Sequence, residues 1–441
     1  MDKTIFALAS GPGRAGISVY RLSGPEAGRA LQALTGASLP EARRATRGRL
    51  RDETGALLDD GLVLWFPGPH SFTGEDVVEL HLHGGRAVAT AITEALVALG
   101  LVPAEPGEFS RRAFLAGKFD LTQAEAIADL VDAETAAQRR QALRQWDGGL
   151  TKLYDDWRLR LLRSQAHLEA EIDFADEDLP GELGEQARRA LADLADEILR
   201  HLADGRRGER LRAGLSVAIL GAPNVGKSSL LNRIAGRDAA IVSSLAGTTR
   251  DIIEVHLDLA GYPVTLADTA GLREAAEAIE EEGVRRARAK ADSADLRLVV
   301  FDAEVLPVID PHSLALVNDD TLVVINKCDR VGRAIPERIG GQAPLMISAQ
   351  SGVGLDGLLA ALEQQARVML EGSGAPAISR ARHRRALEET EAALRRALLA
   401  PYSELAAEDV RLAARCLGRI TGRIDVEEML DVIFREFCIG K

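Results

Sequence analysis

The run Leu215-Ser-Val-Ala-Ile-Leu220 is a short apolar strand, and it passes directly into Gly221-Ala-Pro-Asn-Val-Gly226-Lys227-Ser228-Ser229 and the helical Leu230-Leu-Asn-Arg-Ile234. A strand that ends in a glycine-framed loop and restarts as a helix brings backbone N–H groups to a helix N-terminus, where the dipole favours an anion. The Gly-x-x-x-x-Gly-Lys-Ser spacing adds a lysine for the outer phosphates of a nucleotide and, on Ser228, a hydroxyl able to ligate Mg²⁺. Asn224, Val225, Gly226 and Ser229 complete the wrap. Such a unit belongs in a parallel sheet with helices on its faces, and strand and helix runs alternate accordingly from Leu215 to about residue 370.

Three further elements follow in order. Gly247-Thr248-Thr249-Arg250-Asp251 is a polar loop before an alternating strand (Ile253, Val255, Leu257, Leu259), and Thr249 can close on Mg²⁺ and a γ-phosphate. Asp268-Thr-Ala-Gly271 ends the next strand run, its carboxylate suited to a Mg²⁺ water and the Gly271 N–H to the γ-phosphate. Asn326-Lys327-Cys328-Asp329 follows Thr321–Ile325, and Ile347-Ser348-Ala349 follows another strand run. The Asp329 carboxylate can accept from N1–H and the 2-amino group of guanine, which adenine lacks; Ser348 and Ala349 can offer a backbone N–H to the guanine O6. Together these imply GTP as the ligand. After Gly271 comes Leu272, where Ras-like enzymes carry a water-orienting glutamine, so another group must do that work. Candidates stand in Glu280-Glu281-Glu282, where a solvated helix start is the plainer explanation of Glu281 and Glu282.

With 441 residues the chain exceeds one hydrophobic core. Residues 1–118 mix β-rich runs at 16–22, 61–66 and 76–82 with helical spacing at 25–35 and 86–99, an α+β pattern. Helical periodicity occupies 119–213 and returns in 372–441, so an α/β domain at 214–371 reads as inserted into a discontinuous helical one. The acidic stretch before Pro180 reads as a turn between helices. The fold class expected is therefore multidomain, α+β followed by α/β, with an all-helical part. No apolar run reaches membrane-spanning length, the first residues lack a signal-peptide core, and three scattered cysteines build neither a disulfide framework nor a zinc site. A cytoplasmic protein is expected, with no membrane partner. The net charge of −13 argues against a generally basic nucleic-acid-coating surface, though not against a local basic groove.

Outside the α/β region, Phe66-Pro-Gly-Pro-His-Ser-Phe-Thr-Gly-Glu-Asp76, His83-Gly-Gly85, Pro106-Gly-Glu-Phe-Ser-Arg-Arg-Ala-Phe-Leu-Ala-Gly-Lys118, Leu121-Thr-Gln-Ala-Glu-Ala-Ile-Ala-Asp-Leu130 and the terminal Phe437-Cys-Ile-Gly-Lys441 stand out. With these and the nucleotide motifs, nearly the whole chain resembles the bacterial tRNA-modification GTPases of the MnmE (TrmE) family. The resemblance implies an N-terminal domain that forms a homodimer and binds a tetrahydrofolate derivative, in its 5,10-methylene or 5-formyl form, through Arg21, Glu79 and Lys118 with Lys441 nearby. On the residues alone, an ordinary strand-end ion pair is the plainer reading of each of them, Arg21 and Glu79 in particular. It further implies K⁺ held by Asn224, Ser243, Leu245 and Thr248, water orientation by Glu280, and a MnmG (GidA)-type FAD protein as partner. No Gly-x-Gly-x-x-Gly follows a strand here, so a flavin would have to come from outside. The product implied is an aminomethyl-type group, such as carboxymethylaminomethyl, at carbon 5 of the wobble uridine of certain tRNAs. Phe119 departs from the family's usual leucine, at a position with no proposed role.

Cys438 stands among Ile433, Phe434 and Phe437, which predicts a buried structural thiol; the family gives the position a part in tRNA modification, which makes it a candidate. Arg411, Arg415, Arg419 and Arg423 recur every fourth residue and would line one helix face, with Arg380, Arg382, Arg384 and Arg385 as a second cluster: an RNA surface or a solvated, ion-paired face. The alternative reading of the chain is a ribosome-assembly or regulatory GTPase switch without modification chemistry. Such proteins carry a second GTPase domain or a Gly-x-x-Gly RNA-binding loop; this chain has one phosphate loop, and Gly418-Arg-Ile-Thr-Gly422 has the wrong spacing.

Overall fold

The computed structural model describes residues 3–11, 13–173, 183–237, 239–241, 254–268, 289, 291–330, 335–372, 376–424, 427–435 and 437–440, with the backbone alone at 183, 268 and 427–429. Two compact units are present: one of residues 1–128, 146–159 and 414–441, the other of 129–145 and 160–413.

The first unit is built on a six-stranded sheet. Its strands are β1 (Ile5–Leu8), β2 (Ala15–Ser23), β3 (Thr46–Arg51), β4 (Leu57–Phe66), β5 (Val77–Gly84) and β6 (Val102–Pro103), in the order β3-β4-β5-β2-β1-β6. Every pairing is antiparallel except β1 with β6. Alternation along β5 sends Val78, Leu80 and Leu82 into the core with Leu22, while Glu79, His81 and His83 take the opposite face. Two helices, Ala27–Thr35 and Arg86–Ala98, close that core with Leu31, Leu34, Ile92 and Leu96. The register sets Arg21 of β2 directly opposite Glu79 of β5. Further helices are Glu108–Leu115, and Glu427–Arg435, whose Leu430, Ile433 and Phe434 pack with Phe437, Ala113, Phe119 and Leu121.

The second unit holds the α/β sheet: β7 (Leu215–Leu220), β8 (Glu254–Leu259), β9 (Tyr262–Asp268), β10 (Leu296–Asp302), β11 (Thr321–Asn326) and β12 (Leu345–Met346), ordered β12-β11-β10-β7-β9-β8. All neighbours are parallel except β8 and β9. A parallel strand covered on both faces is apolar along nearly its whole length. In β7, Val217 and Ile219 enter one core cluster and Ala218 and Leu220 the other. Helix Lys227–Ala235 buries Leu230, Leu231 and Ile234, and helix Leu355–Leu370 buries Leu355, Leu358 and Leu362, against the first of these. Ala137 and Leu211, from outside 214–371, join the same cluster. Helices Leu183–Leu202 and Ala381–Leu399 pack together, and Arg384 reaches Asp204 at 2.7 Å and Glu209 at 3.2 Å. Arg380 and Arg212 converge on Asp129 at 2.7 and 2.8 Å. The second arginine cluster is thus largely engaged within the protein. No helix among the described residues is long and apolar enough to cross a membrane.

Candidate functional site

The strands β7 and β11 run parallel with β10 between them, and the loops that follow β7 and β11 carry the phosphate-loop and Asn326–Asp329 motifs. In open α/β sheets this carboxyl edge is where ligands bind. The loop after β7 needs unusual backbone angles: φ is +141° at Gly221, +62° at Asn224 and +99° at Gly226. A Cβ at Gly221 would lie 2.4 Å from the Val300 oxygen, and one at Gly226 would lie 2.2 Å from Asn326 Nδ2. Both positions therefore exclude a side chain for two reasons, conformation and space.

Gly226 caps the helix Lys227–Ala235 without any side-chain hydrogen bond, so the first N–H groups keep their aim at the loop's concavity. Lys227 is 8% exposed, and its ammonium donates to the carbonyls of Gly221 (2.8 Å) and Ala222 (2.9 Å). Those carbonyls hold the charge where phosphate oxygens would meet it. Ser228, Ser229 and Asn224 are exposed at the loop, and Val225 is buried beneath it.

Asn326 joins three loops. Its Nδ2 donates to the Val225 carbonyl at 2.8 Å and its Oδ1 accepts from Ala349 N–H at 2.9 Å. The Cys328 N–H donates to Ile347 O at 3.1 Å, so two backbone N–H groups tie the Asn326–Asp329 and Ile347–Ala349 segments together. Ser348 is fully buried, and its hydroxyl, hydrogen-bonded to Asp329, holds that carboxyl below the usual carboxylate range. An acceptor kept ionised is what a guanine donor edge requires. Lys327 stands at φ +64°, and its ammonium donates to Asp302 and, at 3.2 Å, to Glu304; the Asp302 contact is the main reason its pKa is raised. Asp302 and Glu304 carried no signal in the sequence, because neither belongs to a motif.

Glu280, Ser243, Leu245, Thr248, Thr249, Gly271 and Lys441, and the side chain of Asp268, lie outside the described residues.

In the first unit Arg21 donates to Glu79 Oε1 from Nη2 (2.9 Å) and Nε (3.2 Å), and its guanidinium lies 5.4 Å from the Phe72 ring centroid and 5.9 Å from that of Phe109. His81 Nε2 is 3.3 Å from Glu79 Oε2, and Lys118 donates to the Pro69 carbonyl. The neighbouring hub has no sequence signature. Buried Arg112 donates to Glu75 (3.0 Å), Glu108 (2.7 Å) and Lys3 O (3.1 Å), while Ser23 donates to Glu75 at 2.7 Å. Cys438 is exposed, which corrects the expectation of a buried thiol: Phe434 and Phe437 turn inward, and its backbone carbonyl accepts from Gly107 N–H at 3.4 Å. Helix Ser403–Thr421 carries Arg411, Arg415 and Arg419 but ends before Arg423, which follows Gly422 at φ +80°, so the four arginines do not line one helix face, and most are engaged. Arg411 pairs with Glu169 (3.0 Å) and Glu408, Arg423 with Asp155 (2.6 Å), and Arg419 donates to Cys416 Sγ (3.1 Å), leaving Arg415 exposed.

Comparison with known proteins bears on the whole chain. The family model described as MnmE helical domain matches residues 121–438, and that described as GTP-binding protein TrmE N-terminus matches 4–118. The tRNA modification GTPase MnmE of Paramagnetospirillum magneticum is 63% identical over 441 residues and covers 100% of both chains. Its namesakes in Rhodospirillum rubrum and Parvibaculum lavamentivorans are 58% and 57% identical over 99% and 100% of both chains. Among solved structures, the G domain of the T. maritima FeoB iron transporter covers 34% of this chain and 98% of its own, at 25% identity and a TM-score of 0.26.

Proposed function

Since this chain belongs to the tRNA modification GTPase MnmE family, we propose that its GTP hydrolysis serves the installation of an aminomethyl-type group, such as carboxymethylaminomethyl, at carbon 5 of the wobble uridine of certain tRNAs. The chain is a GTPase of tRNA modification. The observation that carries the nucleotide half of the reading is the Asn326 bridge, which draws the phosphate loop, Asp329 and the Ser348–Ala349 segment into one frame.

Within that frame Asp329 binds the guanine edge, the N-terminal N–H groups of helix Lys227–Ala235 and Lys227 take the phosphates, and Ser228 with Thr249 would hold Mg²⁺. The exposed Ser228 hydroxyl at the helix start suits a hard cation. Asn224, Ser243, Leu245 and Thr248 would hold K⁺, an oxygen-only set whose ion supplies positive charge beside the β–γ bridge. Glu280 would orient the attacking water. Residues 1–118 would form the homodimer and take the tetrahydrofolate derivative. Glu79 fits a pterin donor edge, because an ionised carboxylate offers about four lone-pair sites and Arg21 and His81 engage only part of them. Lys118 and Lys441 suit the folate's glutamate tail. An FAD protein of the MnmG type would bring the redox chemistry, and Cys438, which is exposed, would meet substrate or partner. The helical domain would comprise 119–213 and 372–441, flanking a GTPase domain at 214–371.

Steady-state GTP hydrolysis in K⁺ and in Na⁺ at equal ionic strength tests the hydrolytic part. A K⁺-specific rise is expected, and Glu280→Ala should lower kcat by about a hundredfold. Equal rates in both salts would remove the K⁺ site. Fully modified wobble uridines in a strain lacking the gene would remove the tRNA role.

A further inference from the structure

We infer that Asp302 and Glu304 are positioning residues of guanine recognition: they clamp the Lys327 ammonium so that its aliphatic stem is fixed in advance as one wall of the base site. Asp302 is the last residue of β10, only 9% exposed, and in register with Asn326 of β11. Its two oxygens are divided. Oδ1 accepts from the Glu304 N–H at 2.9 Å, folding the loop back, and Oδ2 accepts from Lys327. Glu304, so turned, takes the same ammonium at 3.2 Å with Oε2 and the Arg330 guanidinium at 3.5 Å with Oε1. Arg330 in turn donates to the Gln350 side chain at 2.8 Å. A continuous chain of contacts therefore runs from the end of β10 through Lys327, two residues before Asp329, to the segment that carries Ser348 and Ala349.

Lys327 is fixed at both ends, by a left-handed backbone (φ +64°) and by two carboxylates. A lysine tied in this way presents four methylenes as a flat apolar strip, the kind of surface on which a planar base stacks. An untied lysine would have to be ordered when the nucleotide arrives, and ordering one rotamer-rich side chain costs affinity. The clamp removes that cost before binding. Asp329 reads the guanine edge, whereas the clamped stem meets the base face, which guanine and hypoxanthine share.

This inference rests on the chain binding guanine nucleotides, and the test separates the two. Dissociation constants for GDP and IDP are measured on the full chain and on Asp302→Asn, Glu304→Gln and Asp329→Ala variants, with kcat and KM for GTP. Asp302→Asn keeps the acceptor for the Glu304 N–H, so the loop retains its fold while the charge is lost. The expected result is a rise of about two- to tenfold in both dissociation constants by the same factor, with KM raised and kcat kept. Glu304→Gln should do the same more weakly, while Asp329→Ala should bring the GDP and IDP values together. Unchanged affinities in both clamp variants would overturn the clamp. So would a loss confined to GDP, since the effect would then run through Asp329. Failure of the unaltered protein to bind GDP would instead overturn the nucleotide reading.

Discussion

Asn326 is 2% exposed and satisfies two backbone groups that belong to different loops, the Val225 carbonyl and the Ala349 N–H. Truncation would leave both buried without a partner, and each such group costs about 1–3 kcal/mol. Asn326→Ala is therefore expected to destabilise the second unit by about 3 kcal/mol, read as a lower urea midpoint at unchanged slope. GDP affinity should fall in the same variant, because the phosphate loop and the base loop lose their common anchor. An unaltered midpoint would mean that water replaces the amide. The asparagine itself was legible in the sequence, as one letter of a contiguous motif. Its partners were not, since Val225 lies 101 residues away. The same distinction separates Lys227, readable from spacing, from Asp302 and Glu304, whose meaning depends on where β10 ends beside β11. The exposure of Cys438 was not legible from its apolar neighbours, because a residue beside buried aromatics can still turn outward.

At the scale of elements, the last turn of helix Leu183–Leu202 carries His201, whose pKa burial pushes down, with Asp204 opposing and Arg384 and Arg207 assisting. The folded protein keeps the imidazole neutral to a lower pH than the unfolded chain does, so the unfolded chain takes up the proton first. The contribution to stability is complete above the ordinary histidine value near ~6.5 and is lost progressively as pH falls from there towards the lower folded pKa. His201→Gln should flatten the fall in melting temperature between about pH 7 and 5.5; an identical slope in the variant would assign the fall to other groups. Helix Ser403–Thr421 presents a different question. Its Arg411, Arg415 and Arg419 have the spacing of one face, but Arg411 is paired with a carboxylate and Arg423, also paired, lies beyond the helix end, so the stripe does not offer four free cations to an RNA backbone. If exposed Arg415 meets tRNA phosphate, Arg415→Glu should weaken tRNA binding and flatten the slope of log K against log salt by roughly one ion's worth, about 0.7–0.9. Unchanged tRNA affinity would return the whole face to solvent. Spacing revealed the helix but not the pairing, because the carboxylates come from residues 155 and 169. In the first sheet, β2, β4 and β5 were readable from alternation. Strands β1, β3 and β6 were not, being four residues long, arginine-rich and two residues long.

In the chain as a whole, apolar alternation begins at Leu215 and marks a boundary at residue 214, but alternation reports strands rather than cores. The core around β7 does not respect it. Leu211, on helix Arg207–Ala213, is 9% exposed and packs in the same cluster as Val217, Ile219 and Leu257. Ala137 enters that cluster as well, and its N–H donates to the Gly261 carbonyl at 3.0 Å, at the turn between β8 and β9. A domain cut at 214 therefore opens apolar surface that a cut at the preceding turn would keep closed. Burying one leucine is worth about 1.5–3 kcal/mol, and in a domain of this size each kcal/mol shifts the melting temperature by about 2–4 °C. A fragment of residues 205–371 should then melt about 5 °C above one of residues 214–371, with GDP present in both to saturate the site. Leu211→Ala in the longer fragment should remove most of that difference. Equal melting of the two fragments would mean that helix Arg207–Ala213 adds nothing to the nucleotide-binding core, and residue 214 would stand as the physical boundary as well as the one visible in the alternation.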